Sequence, residues 1–475
     1  MTLPTLSGLR EILRLALPII ASMASFTVMG FVDTWMVARV GTAEVAAAMP
    51  GGVIAFTLTA LPLGITRCVN TFAAQAFGRD EPDEAAAYAW QGLYFGALVG
   101  LACVVFWPLA PGFFSLFGHE PEVLVLEVAY FRVRLWGIGL SVMIGALSGF
   151  FYGIHRPGVA LVGVLTANCT NVVLNYVFIF GNWGAPRLGL TGAGLAMVLS
   201  FVVQLGVLLG VFLSSRYRAE FSTRLVWSPD WSRTRRLLHI GWPAGVQGAI
   251  DILGWGLLIV MIVGQFGKEH LAASNIAVQY MMISFMPALG LSQALSALVG
   301  RYIGRGEWET AVRRVYETLC ICLVYMGLMG VFFFVFRFSL IGVFSTDPLV
   351  IQLGANILLC AVAFQLFDGL GMTFFGALRG AGDTHWPAGF TLAVLFLVFA
   401  PLSLGSVAYT NLESLGPWLA GTANVIILGL GFCWRFCQDH WRQIDIFATP
   451  GPADNTGAEK APGAMRESPL VGSPE

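Results

Sequence analysis

Charge is what this sequence has least of. Asp, Glu, Lys and Arg make up 11% of its 475 residues, against 57% for the apolar types, where a soluble domain carries roughly 25% charged residues. A surface this short of charge cannot face water over most of its area, so the solvent of the chain is mainly lipid. The formal net charge of −1 leaves no basic excess for phosphates, which argues against a nucleic-acid partner. Metal-ligand spacing is missing as well. Cys68, Cys103, Cys169, Cys320, Cys322, Cys360, Cys433 and Cys437 lie inside apolar runs, and Cys320 and Cys322 would point to opposite sides of a helix. All eight read as small core residues. The histidines (His119, His155, His239, His270, His385 and His440) fall at or near the ends of those runs, too scattered for a metal site. No nucleotide loop, nucleophile elbow or zinc motif occurs. An enzyme or a cofactor-binding protein is therefore not expected, and an ATP-driven pump would need a motor on another subunit. A cleavable leader is not evident either, because the first apolar run follows Arg10 and Arg14 and is long enough to stay in a membrane.

Long apolar runs are what the sequence has instead. A membrane helix needs about 20 mainly apolar residues. Such runs fall near 15–38, 46–68, 88–110, 123–150, 158–180 and 189–213, then near 240–264, 271–299, 315–336, 350–377, 387–408 and 417–437. The expected fold is an all-α integral membrane protein of twelve transmembrane helices in two pseudo-symmetric six-helix bundles. The expected divisions are an N-lobe over 1–213, an inter-lobe loop over 214–239, a C-lobe over 240–440 and a disordered tail over 441–475, rich in Pro, Gly, Ala and Glu.

Orientation follows from the bias of basic residues toward the cytoplasmic side. With the N-terminus inside, the inner segments collect Arg10, Arg14, Arg79, Arg156, the arginines between Arg216 and Arg236, Arg301, Arg305, Arg313, Arg314, Arg379, Arg435 and Arg442. The outer loops keep only Arg39, Arg187, Lys268 and Arg337. Both termini are therefore expected in the cytoplasm.

The two halves resemble each other. Val40-Gly41-Thr42-Ala43-Glu44-Val45-Ala46-Ala47 recurs as Phe266-Gly267-Lys268-Glu269-His270-Leu271-Ala272-Ala273, an offset of 226, at which Gly64 also matches Gly290 and Gly78-Arg79 matches Gly304-Arg305. A register held this long implies duplication. Six spans per half send both halves into the membrane in the same sense, so the repeat is parallel and the cavity should lie between the halves.

Ionisable groups inside a span cost about 2.5–3.5 kcal/mol each at a helix centre on insertion scales and mark a cavity or a partner. Asp33, Asp251 and Asp368 stand out. A carboxylate in such a place binds a proton, or Na⁺ if enough oxygen ligands surround it. Asn168, Asn171 and Asn175 share one helical face, and their amides either extend a site around Asp33 or bond to neighbouring helices. Gln247, Gln279, Gln293, Gln365, Trp255 and Phe364 are candidates for lining a substrate cavity, with ordinary packing as the alternative for each. Arg132 and Arg134 are expected near the outer end of the fourth span, snorkelling to the interface. The acids break the repeat: at the common offset Asp33 falls opposite Ile259 and Asp251 opposite the region of Phe26.

Several blocks then become recognisable. Leu15-Ala16-Leu17-Pro18 with Val28-Met29-Gly30-Phe31-Val32-Asp33-Thr34, then Ile240-Gly241-Trp242-Pro243-Ala244-Gly245 with Asp251, then Asp368 with Gly376-Ala377-Leu378-Arg379-Gly380-Ala381-Gly382-Asp383-Thr384 resemble the multidrug and toxic compound extrusion (MATE) family, in its NorM-like branch, over about 10–440. The resemblance implies the MATE/MOP fold and a secondary antiporter of the bacterial inner membrane, acting as a monomer in the lipid bilayer. It implies export of amphipathic, often cationic, organic compounds in exchange for H⁺ or Na⁺, with no other cofactor. It also implies a C-lobe cation site at Asp251 and Asp368 and an N-lobe site at Asp33, Asn171 and Asn175. Phe364 stands where some relatives carry a tyrosine, and Met197 where a threonine is frequent. Losing those oxygens disfavours Na⁺, so H⁺ is the expected coupling ion. The alternatives are a flippase for lipid-linked sugars within the same superfamily and, from another class, a passive channel or membrane enzyme.

Overall fold

The computed structural model describes residues 5–116, 120–257 and 262–448. His119, Ile259 and the tail from 449 lie outside them. The first half runs α1 (Leu6–Val37), α2 (Thr42–Arg67), its continuation α3 (Val69–Gly78), α4 (Pro82–Cys103), a short α5 (Phe106–Ser115), α6 (Pro121–Gly153), α7 (Pro157–Phe180) and α8 (Gly189–Phe212). After α9 (Ser215–Phe221) come α10 (Trp231–Leu257), α11 (Lys268–Gly304), α12 (Trp308–Gly342), α13 (Pro348–Ala381), α14 (His385–Val394), α15 (Ala400–Tyr409) and α16 (Leu415–Cys437). A π-helical turn at Leu395–Phe399 joins α14 to α15 into one crossing. Proline in the first turn starts α4, α6, α7 and α13, where its missing N–H costs nothing. Gly181 and Gly382, both left-handed, end α7 and α13.

Eleven of these crossings are long and apolar enough to span a bilayer. The twelfth is α10, whose first turns carry Arg233, Arg235 and Arg236; its 27 residues reach about 40 Å at 1.5 Å per residue. Hydropathy places the start of this crossing near 240, yet the helix begins at Trp231. Likewise α1 begins at Leu6 and not near 15. Hydropathy marks where a helix enters lipid, while backbone hydrogen bonding continues through the polar turns outside it. The third crossing ends at Cys103, and the apolar chain beyond it forms the separate α5.

In the first half, α6 is the hub, packed by α2, α4 and α8, with α7 on α8 and α1 on α7. In the second, α13 is the hub, packed by α11, α12 and α16, while α10 packs on α14. The two bundles meet where α2 runs along α10, and where α1 and α3 run along α11. This contact needs small residues. Gly64 lies against the backbone of Gly245, and Gly78 against Gly304 and the Arg301 carbonyl, with no room for a methyl group at either. Burial of this kind lets helix backbones approach closely in a bilayer.

The bundles are joined at the face that carries both chain ends. There Thr71 Oγ1 donates to the Arg379 carbonyl at 2.9 Å, Gln75 Nε2 to the Gly380 carbonyl at 3.0 Å, and Asn70 Nδ2 to the Gln293 carbonyl at 3.3 Å. Arg314 pairs with Glu11 at 2.7 Å and with Glu317 at 2.6 Å. Tyr302 donates to Glu11, and Glu317 accepts from Thr5. Toward the other face the bundles part. On α10, the glycines that follow Gly241 and Gly245 on the same side, Gly248 and Gly256, meet nothing within 4 Å. On α11, Gly290 packs on Ile20, but Ile283 and Gln279, two and three turns further along that side, are exposed. The molecule is thus a V, closed at the terminal face and open at the other.

Residues 441–448, expected within the tail, are ordered. Trp441 is fully buried and stacks on Phe436, with ring centroids 5.0 Å apart. The chain then crosses to the first bundle, where Ile446 is buried and Phe447 packs edge-on against Phe72 and Tyr88. Arg79 holds Asp445 at 3.1 Å and lies over the Phe447 ring. The tail composition that begins near Pro450 does not reach back to this apolar stretch.

Candidate coupling sites in the two lobes

Asp33 sits near the C-terminal end of α1, where α7 packs beside it. Asn175 Nδ2 donates to Asp33 Oδ1 at 2.5 Å and to Asn171 Oδ1 at 3.0 Å. The helical spacing of four that puts both asparagines on one face therefore builds a relay from Asn171 through Asn175 to the carboxylate. Asn168, one turn earlier, turns elsewhere and bonds to the carbonyl and hydroxyl of Ser25. It ties α7 to α1 and takes no part at Asp33.

Arg134 corrects the expectation from sequence. It does not snorkel. Its Nη1 donates to Met197 Sδ at 2.5 Å and to the Tyr130 hydroxyl at 3.3 Å, inside the lobe between α2, α6 and α8. It lines a small cavity with Thr59, Ser141 and Phe201, and its charge acts on Asp33. Arg132 differs, with Nε donating to the Trp107 carbonyl at an exposed position. Two arginines two positions apart point to opposite sides of α6, and only the packing of α6 against its neighbours decides which side is interior.

In the C-lobe, Asp251 on α10 and Asp368 on α13 come close enough to feel each other's charge. Asp251 is solvent-accessible although helices surround it. It lines a cavity of about 20 Å³ with Trp255, Thr391, Leu395, Phe399 and Asn424. A water needs about 10–15 Å³, so the cavity holds one water or one bare cation and no organic molecule. The π-helical turn supplies Leu395 and Phe399 to its wall, a frequent use of such turns. Thr391 and Asn424 were missed in the sequence, since a single threonine or amide in an apolar helix carries no periodic signal.

Of the candidate cavity residues, Gln279 is exposed on the side of α11 that faces the cleft, and Trp255 lines the small cavity beside Asp251. The others are packed inside the C-lobe. Gln247 is buried and donates to Thr391 Oγ1 at 3.2 Å. Gln365 is buried and donates to Met326 Sδ at 3.2 Å, and Phe364 packs with Phe333 and Ala361. Each glutamine finds a partner for its amide nitrogen within the lobe, while Gln247 Oε1 is left without one. Gln293 lies at the inter-lobe contact through its carbonyl. Three cysteines, Cys169, Cys320 and Cys437, are exposed and not core residues; a thiol is apolar enough to face lipid.

This frame has relatives. The MatE family model matches residues 18–177 and again residues 249–404. The chain belongs to the MATE family. The double match falls once in each half, as the repeat in the sequence requires. The chain is 31% identical to the probable multidrug resistance protein NorM of Pseudomonas aeruginosa, over 92% of this chain and 91% of that one. It is 30% identical to the protein of the same description in Rhizobium meliloti, over 90% and 92% of the two chains. Among solved structures it superposes on a multidrug resistance MATE family transporter in its outward-facing conformation, with a TM-score of 0.83 and 20% identity over 92% of this chain and 97% of that one. A eukaryotic MATE transporter gives a TM-score of 0.82 at 17% identity, with the same coverage. This MATE protein is a NorM-like membrane transporter and not an enzyme.

Proposed function

We propose that this MATE transporter is a multidrug efflux antiporter of the bacterial inner membrane, working as a monomer. It exports amphipathic, often cationic, organic compounds in exchange for H⁺. The observation that carries this reading is the pairing of an outward cleft with carboxylates set among the helices of both lobes, Asp33 in one and Asp251 with Asp368 in the other. With both termini in the cytoplasm, as the arginine bias favours, the V opens outward. A cation reaching the acids from outside then favours one arrangement of the lobes. It shifts the equilibrium only by its difference in affinity between the two. One charge crossing 100 mV supplies about 2.3 kcal/mol, enough for roughly fifty-fold accumulation of a neutral substrate.

A proton suits the N-lobe site better than Na⁺. The groups turned to Asp33 are N–H donors, and Met197, in place of an oxygen ligand, is engaged by Arg134. Sodium needs several oxygens. Phe364 likewise offers no hydroxyl to the C-lobe acids. The test is export from cells or vesicles by Asp251→Asn and Asp368→Asn variants that still reach the membrane. Loss of energised efflux in both supports the assignment, and full efflux in both removes it.

A further inference from the structure

The floor of the cleft carries two arginines that no acid balances. Arg67 is the last residue of α2, on the N-lobe side. Its side chain is solvent-accessible although protein surrounds it, and it lies beside Tyr152 and Arg379 at the lobe boundary. Arg379 belongs to the last turn of α13, on the C-lobe side. It is 7% exposed, its guanidinium lies over the Phe375 ring, and its Nη2 is buried with no hydrogen-bond partner. The Arg379 backbone is fixed across the lobe boundary by the 2.9 Å bond from Thr71. The two guanidinium groups are near enough to act on each other. The other titratable groups acting on them are the Tyr152 phenol and the Cys68 thiol. Among the described residues, no ion pair joins a carboxylate to either arginine.

Buried charges are ordinarily paired, and an ionisable residue within a membrane protein is found with its partner. Two neighbouring cations on opposite lobes, one of them with an unused donor, lack only an anion. We propose that Arg67 and Arg379 form an anion-binding site at the base of the cleft, which takes a single monovalent anion. The anion is the carboxylate of a zwitterionic amphipathic substrate or a free halide. Guanidinium groups suit this role because their fork of donors matches a carboxylate. Since the lobes contribute one arginine each, a bound anion draws them together at the terminal face, and an empty site leaves them repelling. The site thus ties the anionic end of a substrate to the closed state, while the acids higher in the lobes take up the coupling ion. This extends the antiporter reading and rests on it for the substrate source only.

The test uses the full-length protein in proteoliposomes with a matched pair of fluorescent dyes, rhodamine B, which bears a carboxylate, and its ethyl ester, which does not. Each is measured for wild type and Arg67→Gln, with chloride and with gluconate in its place. If the substrate supplies the anion, Arg67→Gln lowers export of the acid relative to the ester by about tenfold or more, and chloride competes with the acid alone. If a halide is the resident ligand, replacing chloride slows both dyes in wild type, and Arg67→Gln no longer responds. An acid-to-ester ratio and a chloride response that are both unchanged in Arg67→Gln overturn the site. Wild-type vesicles that export neither dye count against the antiporter reading instead. The site is then judged by bromide-soaked wild-type crystals, where anomalous density between the two guanidinium groups supports it and empty space there overturns it.

Discussion

Asn175 Nδ2 lies 2.5 Å from Asp33 Oδ1, and the same nitrogen reaches Asn171 Oδ1 at 3.0 Å. The amide therefore orients the carboxylate and is itself oriented by the next amide along α7. A hydrogen bond to a charged group contributes about 1.5–3 kcal/mol. Asn175→Ala is expected to weaken coupling by roughly ten- to a hundred-fold in the driving-ion concentration needed for half-maximal export, with protein still in the membrane. Asp33→Asn should remove the N-lobe response altogether. Dye export measured against graded ion gradients checks both, and an unchanged half-point in Asn175→Ala would separate the asparagines from the coupling step.

The glycine contact between α2 and α10 sets the closed state. A valine at Gly245 must push against the α2 backbone at Leu61, and overpacking of this kind costs about 1–3 kcal/mol. That cost falls on the closed terminal face and not on the separated one. Spin labels at Asp83 and Glu309, both exposed on that side, should therefore show a longer mean distance in Gly245→Val than in the parent. An identical distribution would mean that the helices do not part at this contact.

His155 gives the closed face an acid sensitivity. It lies in the turn after α6, where its Nδ1 accepts from Arg301 at 3.0 Å and its Nε2 faces the Ala297 carbonyl at 3.4 Å. Burial, followed by the neighbouring Arg301 charge, pushes its pKa down to about 3. The folded state thus keeps this imidazole neutral while the unfolded chain binds a proton near the ordinary value of about 6.5. The stability it contributes is complete above pH 6.5 and falls by about 1.4 kcal/mol per pH unit between there and pH 3. Unfolding in detergent should show a shallower acid slope over that window for His155→Gln. An unaltered slope would place the acid sensitivity elsewhere.

The segment after α16 clasps the two lobes. Replacing a buried Ile by Ala costs about 2–5 kcal/mol, which for Ile446→Ala is enough to release the segment from Phe72 and Tyr88. Trypsin should then cut at Arg442, which is half-exposed, much faster than in the parent. Equal cleavage rates would indicate that the clasp is held from the Trp441 side alone.

The frame was legible because membrane helices declare themselves through length and apolarity, and because the repeat placed Gly64 against Gly290 and Gly78 against Gly304 in one register. The acids were legible for the same reason: a carboxylate in an apolar run is costly enough to be conspicuous. Their surroundings were less so. Asn175 and Asn168 share a helical face, yet only packing against α1 decides that one meets Asp33 and the other Ser25. Arg134 reads like Arg132 until the fold of α6 against α8 turns it inward to Met197. Gln247 and Gln365 look like cavity residues because the sequence cannot reveal Thr391 and Met326 waiting beside them. Arg67 and Arg379, 312 positions apart, are brought together only by packing across the lobe boundary, where Thr71 bonds to the Arg379 carbonyl.

The central claim, that acids set among the helices couple ion entry to export, is tested most directly by dye transport in inverted vesicles energised alternately by a pH gradient and by a Na⁺ gradient. The expected result is uptake of an amphipathic cationic dye with the pH gradient, little with Na⁺, and none with either gradient in Asp251→Asn or Asp368→Asn. Uptake that persists at the wild-type rate in both variants, or that proceeds without any ion gradient, would contradict the account.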